Sequence, residues 1–169
     1  MSMIFLGIDP GRTGALVALD EHGNVILAEL CPVLSKDFND TEMNRVVRDA
    51  VSEELNVHAG IEKCGTRPGE SLRGAFSFGE GVGIWRGILA AHAIGWRWIA
   101  PQAWQVRALS GERKPKARKE LKDAITRSAI RRWPRLSSVL HLKKNQGIAD
   151  AAWIADHIRL THTPHTPSD

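Results

Sequence analysis

Three carboxylates that are far apart in the sequence each stand beside an apolar segment. Asp9 ends one apolar run and precedes a Pro-Gly pair, Glu62 ends another, and Asp150 lies in an alanine-rich stretch. Carboxylate oxygens are the ligands that Mg²⁺ prefers, and two such ions about 3.5–4 Å apart suit in-line displacement at a phosphodiester. The set therefore predicts a divalent-metal site for phosphodiester hydrolysis, in which the acids are ligands and not nucleophiles.

Each acid also has an ordinary structural interpretation when it is taken alone. Asp9 is a suitable residue to begin a turn before proline, and Glu62 suits the exposed end of a strand. A carboxylate near a helix N-terminus, as expected for Asp150, gains about 0.3–1 kcal/mol from the helix dipole. The metal-site hypothesis therefore depends on the three residues meeting in the fold.

A zinc site is a weaker alternative, because no cluster of histidines or cysteines accompanies the acids. Cys31 and Cys64 do not form a CxxC or zinc-like spacing, so we expect two reduced thiols in the core. His92, His141 and His157 are interpreted as structural residues.

The elements that must position the acids follow from the apolar patterns. Apolar runs at residues 3–9, 14–19 and 24–31 are separated by short polar turns, which predicts three strands in an antiparallel meander. An amphipathic helix is expected at 41–55, and a further strand at 57–62. A strand, a helix and a strand in this order predict a parallel crossover onto the first strand.

The crossover would put Asp9 and Glu62 at neighbouring strand ends, on one edge of the sheet. The rest of the chain predicts a fifth strand and four more helices. These are a helix at 71–93, a strand at 96–100, a helix from Pro101, and helices at 116–133 and 148–158. Five glycines lower the stability of the first of these helices, so it is either broken or very closely packed. Small residues around Asp150 would let the last helix lie close against the sheet.

Length and charge indicate one domain with a face for a polyanion. The 169 residues fit a single α/β domain at 1–160, followed by a disordered tail at 161–169. Residues 113–144 contain 12 Lys or Arg against two acids, a net charge of +10, whereas the rest has 11 basic and 17 acidic residues. This asymmetry favours nucleic-acid binding, with a solvated basic helix as the alternative.

The sequence shows no pattern of a signal peptide and no uninterrupted apolar run of about 18 residues. We therefore expect a cytoplasmic protein without a membrane segment.

Several short motifs occur in a fixed order along nearly the whole chain. They are Gly7-Ile8-Asp9-Pro10-Gly11 with Thr13-Gly14, the Ile61-Glu62 strand end, Pro101-x-x-Trp104, and Ala149-Asp150-Ala151. No motif is specific alone, but the ordered set resembles the RuvC-type Holliday junction resolvases, in particular their phage and prophage branch.

This resemblance implies a ribonuclease H-like fold, with a five-stranded mixed sheet flanked by helices. It also implies a homodimer that nicks four-way DNA junctions symmetrically with Mg²⁺, or with Mn²⁺ in its place, in DNA recombination and repair. Asp9 matches the family's first-strand aspartate, Glu62 the glutamate of the fourth strand, and Asp150 the final aspartate on the last helix.

The sequence departs from the family where a fourth acid, or a histidine, usually precedes the final aspartate. Residues 143–147 read Lys-Lys-Asn-Gln-Gly, so the amides Asn145 and Gln146 are the candidates for that catalytic position. Three interpretations are open: an engineered acid-to-amide change, favoured at Asn145; a natural site with three acids; or a degenerate protein that only binds junctions. The first predicts that Asp at 145 would strongly raise Mg²⁺-dependent nicking.

Basic residues in two regions are the candidates for contacts with DNA phosphates, which position DNA and make affinity depend on salt. Those of the basic segment are Lys114, Lys116, Arg118, Lys119, Lys122, Lys143 and Lys144. Those on the Gly-rich connection after Glu62, which the resemblance implies enters the junction centre, are Lys63, Arg67 and Arg73.

Aromatic residues near that connection are candidates for base stacking. Phe76 and Phe78 could stack on an unpaired base, but residues two apart cannot share one helix face, so at least one should belong to the core or an interface. Trp104 is expected to brace the wall of the site, and Asp156 to face solvent.

Rival functions remain open. Another ribonuclease H-like nuclease, acting on flaps or RNA–DNA hybrids, would use the same acids. A non-catalytic junction-binding module would account for the two amides. A sugar-kinase or actin-like ATPase also has a first strand that ends in Asp followed by Gly and Thr, but the chain is too short for its two-domain cleft.

Overall fold

The computed structural model describes residues 2–51, 56–63, 65, 71–113, 115 and 117–162. The strands are β1 (Met3–Asp9), β2 (Ala15–Asp20), β3 (Val25–Leu30), β4 (Val33–Leu34), β5 (Asp37–Phe38), β6 (Asn56–Glu62) and β7 (Gly95–Ile99). The helices are α1 (Asp40–Val51), α2 (Leu72–Ala91), α3 (Pro101–Ala108), α4 (Arg118–Arg132), α5 (Ser137–Leu140) and α6 (Gln146–Thr161). Single 3-10 turns at Pro134–Leu136 and Lys143–Asn145 flank α5.

Five strands form one mixed sheet in the order β3-β2-β1-β6-β7. β1, β2 and β3 are antiparallel neighbours, whereas β6 pairs parallel to β1 and β7 pairs parallel to β6. The predicted meander and the predicted parallel crossover are both confirmed. β4 and β5 form a separate hairpin that the sequence patterns did not predict, because two-residue strands are too short to show an alternation.

Alternate residues of β1 face two separate hydrophobic cores, as the period of two in a strand requires. Ile4, Leu6 and Ile8 pack with the buried side chains of α1 and α2. Phe5 packs on the other face, with the buried side chains of α4 and α6. The sheet is therefore covered on both faces, and each hydrophobic core contains one set of the alternating side chains of β1.

The contact between α6 and the sheet is unusually close. A Cβ added at Gly7 of β1 would lie 2.0 Å from the backbone oxygen of Ala151, and one at Gly60 of β6 would lie 2.3 Å from the Cδ1 of Ile158. These distances leave no room for any side chain at either glycine. The expectation that the last helix lies close against the sheet is confirmed.

Helix α2 is continuous in spite of its glycines. Gly81 is needed for packing, because a Cβ there would lie 2.4 Å from the backbone oxygen of Pro10. At Gly79, Gly83 and Gly87 a Cβ would meet nothing within 4 Å in the described part of the chain outside the local helix backbone. Close packing within the described part of the chain therefore accounts for Gly81 but not for Gly79, Gly83 or Gly87.

The last helix extends one residue past the predicted domain boundary at residue 160. Helix α6 ends at Thr161, and the ring of His162 packs against that of His58 with 4.0 Å between centroids. The rest of the predicted disordered tail, residues 163–169, lies outside the described residues. Within the described ranges, no helix has the length and apolar character required to cross a membrane.

Candidate active site

The parallel pairing of β1 and β6 places two of the acids side by side. Ile8 pairs with Ile61 in this register, so Asp9 and Glu62 follow as the next residues of their strands. Two positions earlier, Gly7 and Gly60 both face α6. Because the side chains of a strand alternate with a period of two, Asp9 and Glu62 also face α6.

The third acid is delivered by the start of α6. A Cβ added at Gly147 would lie 2.5 Å from the backbone oxygen of Thr13, so the first turn of the helix lies directly against the β1–β2 turn. Asp150 follows one turn later and reaches the ends of β1 and β6. The absence of side chains at Gly147 and Gly7 makes this approach sterically possible.

Asp9, Glu62 and Asp150 line a common cavity of about 250 Å³. We call it the acid cavity. Arg118 and Lys122 of α4 also line it. The structure thus brings together the three carboxylates that the sequence analysis selected, with two cations at the same cavity.

The charges of the acid cavity oppose one another. Burial raises the pKa of Asp150 well above its usual value, and the negative charges of Asp9 and Glu62 raise it further, whereas Lys122 partly opposes this effect.

Burial, with a contribution from Asp9, also raises the pKa of the Cys31 thiol to about 12, so this buried cysteine is an unreactive thiol. Cys64 lies outside the described residues.

Trp104 holds one of the acids. Its indole Nε1 donates a hydrogen bond to Oε1 of Glu62 at 3.3 Å, and its side chain is buried. Pro101 occupies the first turn of α3, as the sequence predicts, and both residues line the acid cavity. Gln105 lines it as well and was missed, although its position four residues after Pro101 puts it on the same helix face.

The three acids offer only carboxylate oxygens, which suits a hard divalent cation. In the described part of the chain, no group of three or more His, Cys, Asp or Glu side chains has the arrangement of a ready metal site. Mg²⁺ usually keeps several waters and takes one or two carboxylates together with phosphate oxygens of the substrate, so it does not need a complete protein cage. The donor set and the mutual repulsion of the acids therefore fit Mg²⁺, with part of its shell coming from water and substrate.

A positively charged cleft of about 560 Å³ adjoins the acid cavity. We call it the basic cleft, and it is lined by Arg118, Lys119, Lys122 and Lys143, with Asp123 and Gln146 beside them. Arg118 and Lys122 line both spaces. Four of the basic residues predicted to contact DNA thus share one surface.

The other predicted DNA-contact residues are dispersed. Lys63 and Lys144 are exposed and line neither the acid cavity nor the basic cleft. Arg73 lies in the first turn of α2, away from both. Arg67, Lys114 and Lys116 lie outside the described residues.

The two phenylalanines near the start of α2 point to different surroundings. Phe78 is partly buried and lines the acid cavity. Phe76 has 75% of its surface exposed and does not line the cavity. As residues two apart on a helix, they do not share a face.

The structure does not bring Asn145 to the acid cavity. Its side chain is buried, its Nδ2 donates to the backbone oxygen of Val139 at 2.8 Å, and its Oδ1 has no hydrogen-bond partner within the described residues. Gln146 lies in the basic cleft instead, with its Nε2 3.5 Å from Oδ1 of Asp123. No side chain would fit at Gly147. Of positions 145, 146 and 147, Gln146 is therefore the one whose side chain reaches the cations of the basic cleft.

Asp156 is buried and does not face solvent, which corrects the expectation from the sequence. Its side chain is 0% exposed and forms ion pairs with Arg107 at 3.0 Å and Arg159 at 2.7 Å, with Arg132 at 3.9 Å. Arg159 is an i,i+3 neighbour on α6 itself, whereas Arg107 and Arg132 come from α3 and α4, so no local pattern could show that these two meet Asp156. Asp156 ties these helices together and is separate from the acid cavity.

Solved structures of a known resolvase share this architecture. Thermus thermophilus RuvC in complex with Holliday junction substrate matches with a TM-score of 0.57 and 15% identity, over 92% of this chain and 91% of that chain. A further Thermus thermophilus RuvC structure matches with a TM-score of 0.58 and 16% identity, over 93% and 92%. The chain has the RuvC fold.

This likeness confirms the ribonuclease H-like fold that the motifs implied, including its five-stranded mixed sheet and flanking helices. No protein-family model matches the sequence, and a search of curated proteins also finds no match. At this level of identity the likeness concerns the fold, so the function is argued from the residues of the site.

We predict that Asp150→Asn stabilises the metal-free protein in EDTA at pH 7–8, because it removes one of three crowded negative charges. A gain of about 1 kcal/mol would raise Tm by about 2–4 °C for a chain of this length. A carboxyl whose folded-state pKa is raised above the unfolded value of 3.8 destabilises the fold only where it is ionised. The gain should therefore shrink as pH falls through the folded-state pKa of Asp150.

Differential scanning calorimetry across pH measures this difference, with Asp37→Asn on the exposed hairpin as the matched control. An Asp150→Asn protein that melts at or below the parent temperature at pH 8 would show that the three acids do not repel one another.

We also predict that Asn145→Asp lowers the free energy of unfolding by about 1–3 kcal/mol, because a buried carboxylate would replace the donor to Val139. Denaturant titration measures the loss. Gln146→Glu places the same added charge in the basic cleft, where four cations outweigh the single neighbouring acid Asp123, and should cost less stability than Asn145→Asp. A stable Asn145→Asp protein with strongly increased Mg²⁺-dependent nicking would instead support the engineered acid-to-amide change.

Proposed function

We propose that the protein is a divalent-metal-dependent endonuclease that nicks branched DNA, with four-way junctions as its principal substrate. The observation that carries this proposal is the shared wall between the acid cavity and the basic cleft, formed by Arg118 and Lys122. Hydrolysis of a phosphodiester in a polyanion needs both the acid cavity and the basic cleft. Acids hold the cation, and basic side chains hold the flanking phosphates.

Mg²⁺, or Mn²⁺ in its place, is the proposed cofactor, held by Asp9, Glu62 and Asp150. When bound, such a cation supplies Lewis-acid stabilisation of the charge that develops at the phosphate and lowers the pKa of its bound water. A cation also offsets the repulsion that raises the pKa of Asp150. Metal binding should therefore favour the ionised form of this acid.

The remaining residues of the cavity are proposed to position the reacting groups. Trp104 donates its indole hydrogen to Oε1 of Glu62 and so orients this carboxylate. Lys122 and Arg118 line the same cavity and suit the non-bridging oxygens of the scissile phosphate. The β1–β2 turn and α3 enclose the cavity between the strand ends.

We favour a natural site that works with three acids over an engineered change at Asn145. The buried amide of Asn145 already serves as a donor to Val139 and lies outside the acid cavity. Gly147 has no space for a side chain against Thr13. Gln146 could contribute an amide oxygen near Lys122, which is a neutral contact to substrate and not a fourth charge.

The likeness to RuvC in complex with a Holliday junction supports four-way junctions as the substrate. Two paired nicks require two sites, so we propose a homodimer. Helix α2 offers an exposed stripe of Gly79, Gly83 and Gly87 at four-residue spacing, which allows the backbone of a second helix to approach closely. Leu72 and Phe76, also exposed on α2, add apolar area near this stripe.

We predict that Gly83→Glu weakens dimerisation by at least about tenfold, since each factor of ten is 1.4 kcal/mol and a charged side chain would separate the paired helices. Light scattering with size-exclusion chromatography measures the change. Ala103→Glu on the exposed face of α3 is the matched control and should remain dimeric. A parent protein that is monomeric at assay concentrations, or a Gly83→Glu protein that dimerises normally, would contradict an interface at α2.

We predict that the parent protein makes paired, symmetric nicks in a four-way junction with Mg²⁺ or Mn²⁺ and none in EDTA. Duplex, flap and RNA–DNA hybrid of matched sequence are the substrate controls. Asp9→Asn should lower the nicking rate by at least about 10³-fold while it keeps junction affinity, because it removes a cation ligand and not a phosphate contact.

Each other result would identify a different function. Nicks in flaps or hybrids with intact junctions would indicate another ribonuclease H-like nuclease. Tight junction binding without any nick under these conditions would indicate the binding module.

A further inference from the structure

A second positively charged surface lies beside the β1–β2 turn, on the side of the sheet that carries α2. Its cleft of about 570 Å³ is lined by the cations Arg12, Lys36 and Arg73, together with Thr13, Val33 and Ser35. We call it the turn cleft. Of these cations only Arg73 was predicted from the sequence to contact DNA, because the other two lie outside both the basic segment and the connection after Glu62.

The turn cleft is built by three elements that are fastened to each other. Nη1 of Arg12 donates to the backbone oxygen of Lys36 at 2.6 Å, which ties the β1–β2 turn to the β4–β5 hairpin. The ring of Phe38 packs so closely on α2 that a Cβ at Gly81 would lie 2.5 Å from it. The hairpin is therefore held against both the turn and α2, which fixes the backbone position of Lys36.

The described residues that line the turn cleft carry a net positive charge. In the described part of the chain, no carboxylate forms an ion pair with Arg12, Lys36 or Arg73, and none lines the cleft. Other arginines of the protein are paired, as Arg45 is with Glu42. Three cations without a carboxylate partner on one concave surface favour an anionic ligand that extends over several ångströms.

The turn cleft adjoins the acid cavity and is built by other elements than the basic cleft. Thr13 lines both the turn cleft and the acid cavity, as Arg118 and Lys122 line both the acid cavity and the basic cleft. The basic cleft is built by α4 and α6, whereas the turn cleft is built by the hairpin and α2, which pack on the opposite face of the sheet. The acid cavity thus shares lining residues with each of two cationic clefts.

We infer, on the basis of the proposed function, that the turn cleft binds the phosphate backbone of DNA that continues past the cleavage site. A DNA strand carries one negative charge for about every 3.4 Å of helix axis, so a strand across the acid cavity has phosphates on both sides of the scissile bond. The basic cleft holds one side and the turn cleft holds the other. Arg12 and Lys36 are therefore positioning residues for the substrate.

Lys36→Gln tests this inference with little risk to the fold, because the bond from Arg12 goes to the backbone oxygen of Lys36 and not to its side chain. Junction affinity is measured in EDTA, without cleavage, over a series of salt concentrations. The plot of log affinity against log salt has a negative slope, and loss of one phosphate contact lowers the magnitude of this slope by about 1. Arg12→Lys keeps the charge and should keep the slope, whereas Arg12→Gln should lower it.

The matched control is Arg48→Gln, which removes an exposed cation from α1, outside the three cavities described above. It should keep the slope and affinity of the parent. Single-turnover nicking by Arg48→Gln at saturating junction should also stay within about twofold of the parent, because Arg48 lies outside all three cavities.

The results separate this inference from the proposed function. If the parent protein cuts junctions but Lys36→Gln and Arg12→Gln retain its salt slope, the turn cleft does not bind DNA and the nuclease assignment stands. If the parent protein neither binds nor cuts branched DNA, both ideas fail together. A lower slope in both variants, with unchanged slopes for Arg48→Gln and Arg12→Lys, is the expected result.

Discussion

The contact between the backbone of α6 and Gly7 of β1 is the constraint on which the rest of the structure depends. A Cβ at Gly7 would lie 2.0 Å from the backbone oxygen of Ala151, so the helix could not lie this close to the strand with any other residue at this position. Gly147 makes the matching contact with the β1–β2 turn. Together they bring Asp150 to the strand ends where Asp9 and Glu62 are already neighbours.

This arrangement brings three carboxylates close together, which is electrostatically unfavourable in the metal-free protein. Burial and two neighbouring acids raise the pKa of Asp150, and Lys122 offsets only part of that effect. Strain of this kind is common where stability is traded for function. The buried acid elsewhere on the same helix, Asp156, shows the contrast, because its arginine partners neutralise it and it serves the packing of three helices.

Sequence patterns predicted the sheet and the three acids because both depend on local regularities. Alternating apolar residues mark the strands, and each acid stands where a strand ends or a helix begins. The features that the patterns did not show depend on contacts between distant segments: the approach of Arg107 and Arg132 to Asp156, and the hairpin that carries Lys36. Motif order identified the fold at an identity of 15–16% to RuvC, where sequence comparison found no match.

The central claim is that the three acids together hold a divalent cation, and anomalous X-ray diffraction from crystals of the protein grown with Mn²⁺ and a four-way junction tests it most directly. The account predicts one or two anomalous peaks in the acid cavity, within coordination distance of Asp9, Glu62 and Asp150. A junction bound at the basic cleft with no peak in that cavity, at Mn²⁺ concentrations that support nicking, would contradict it.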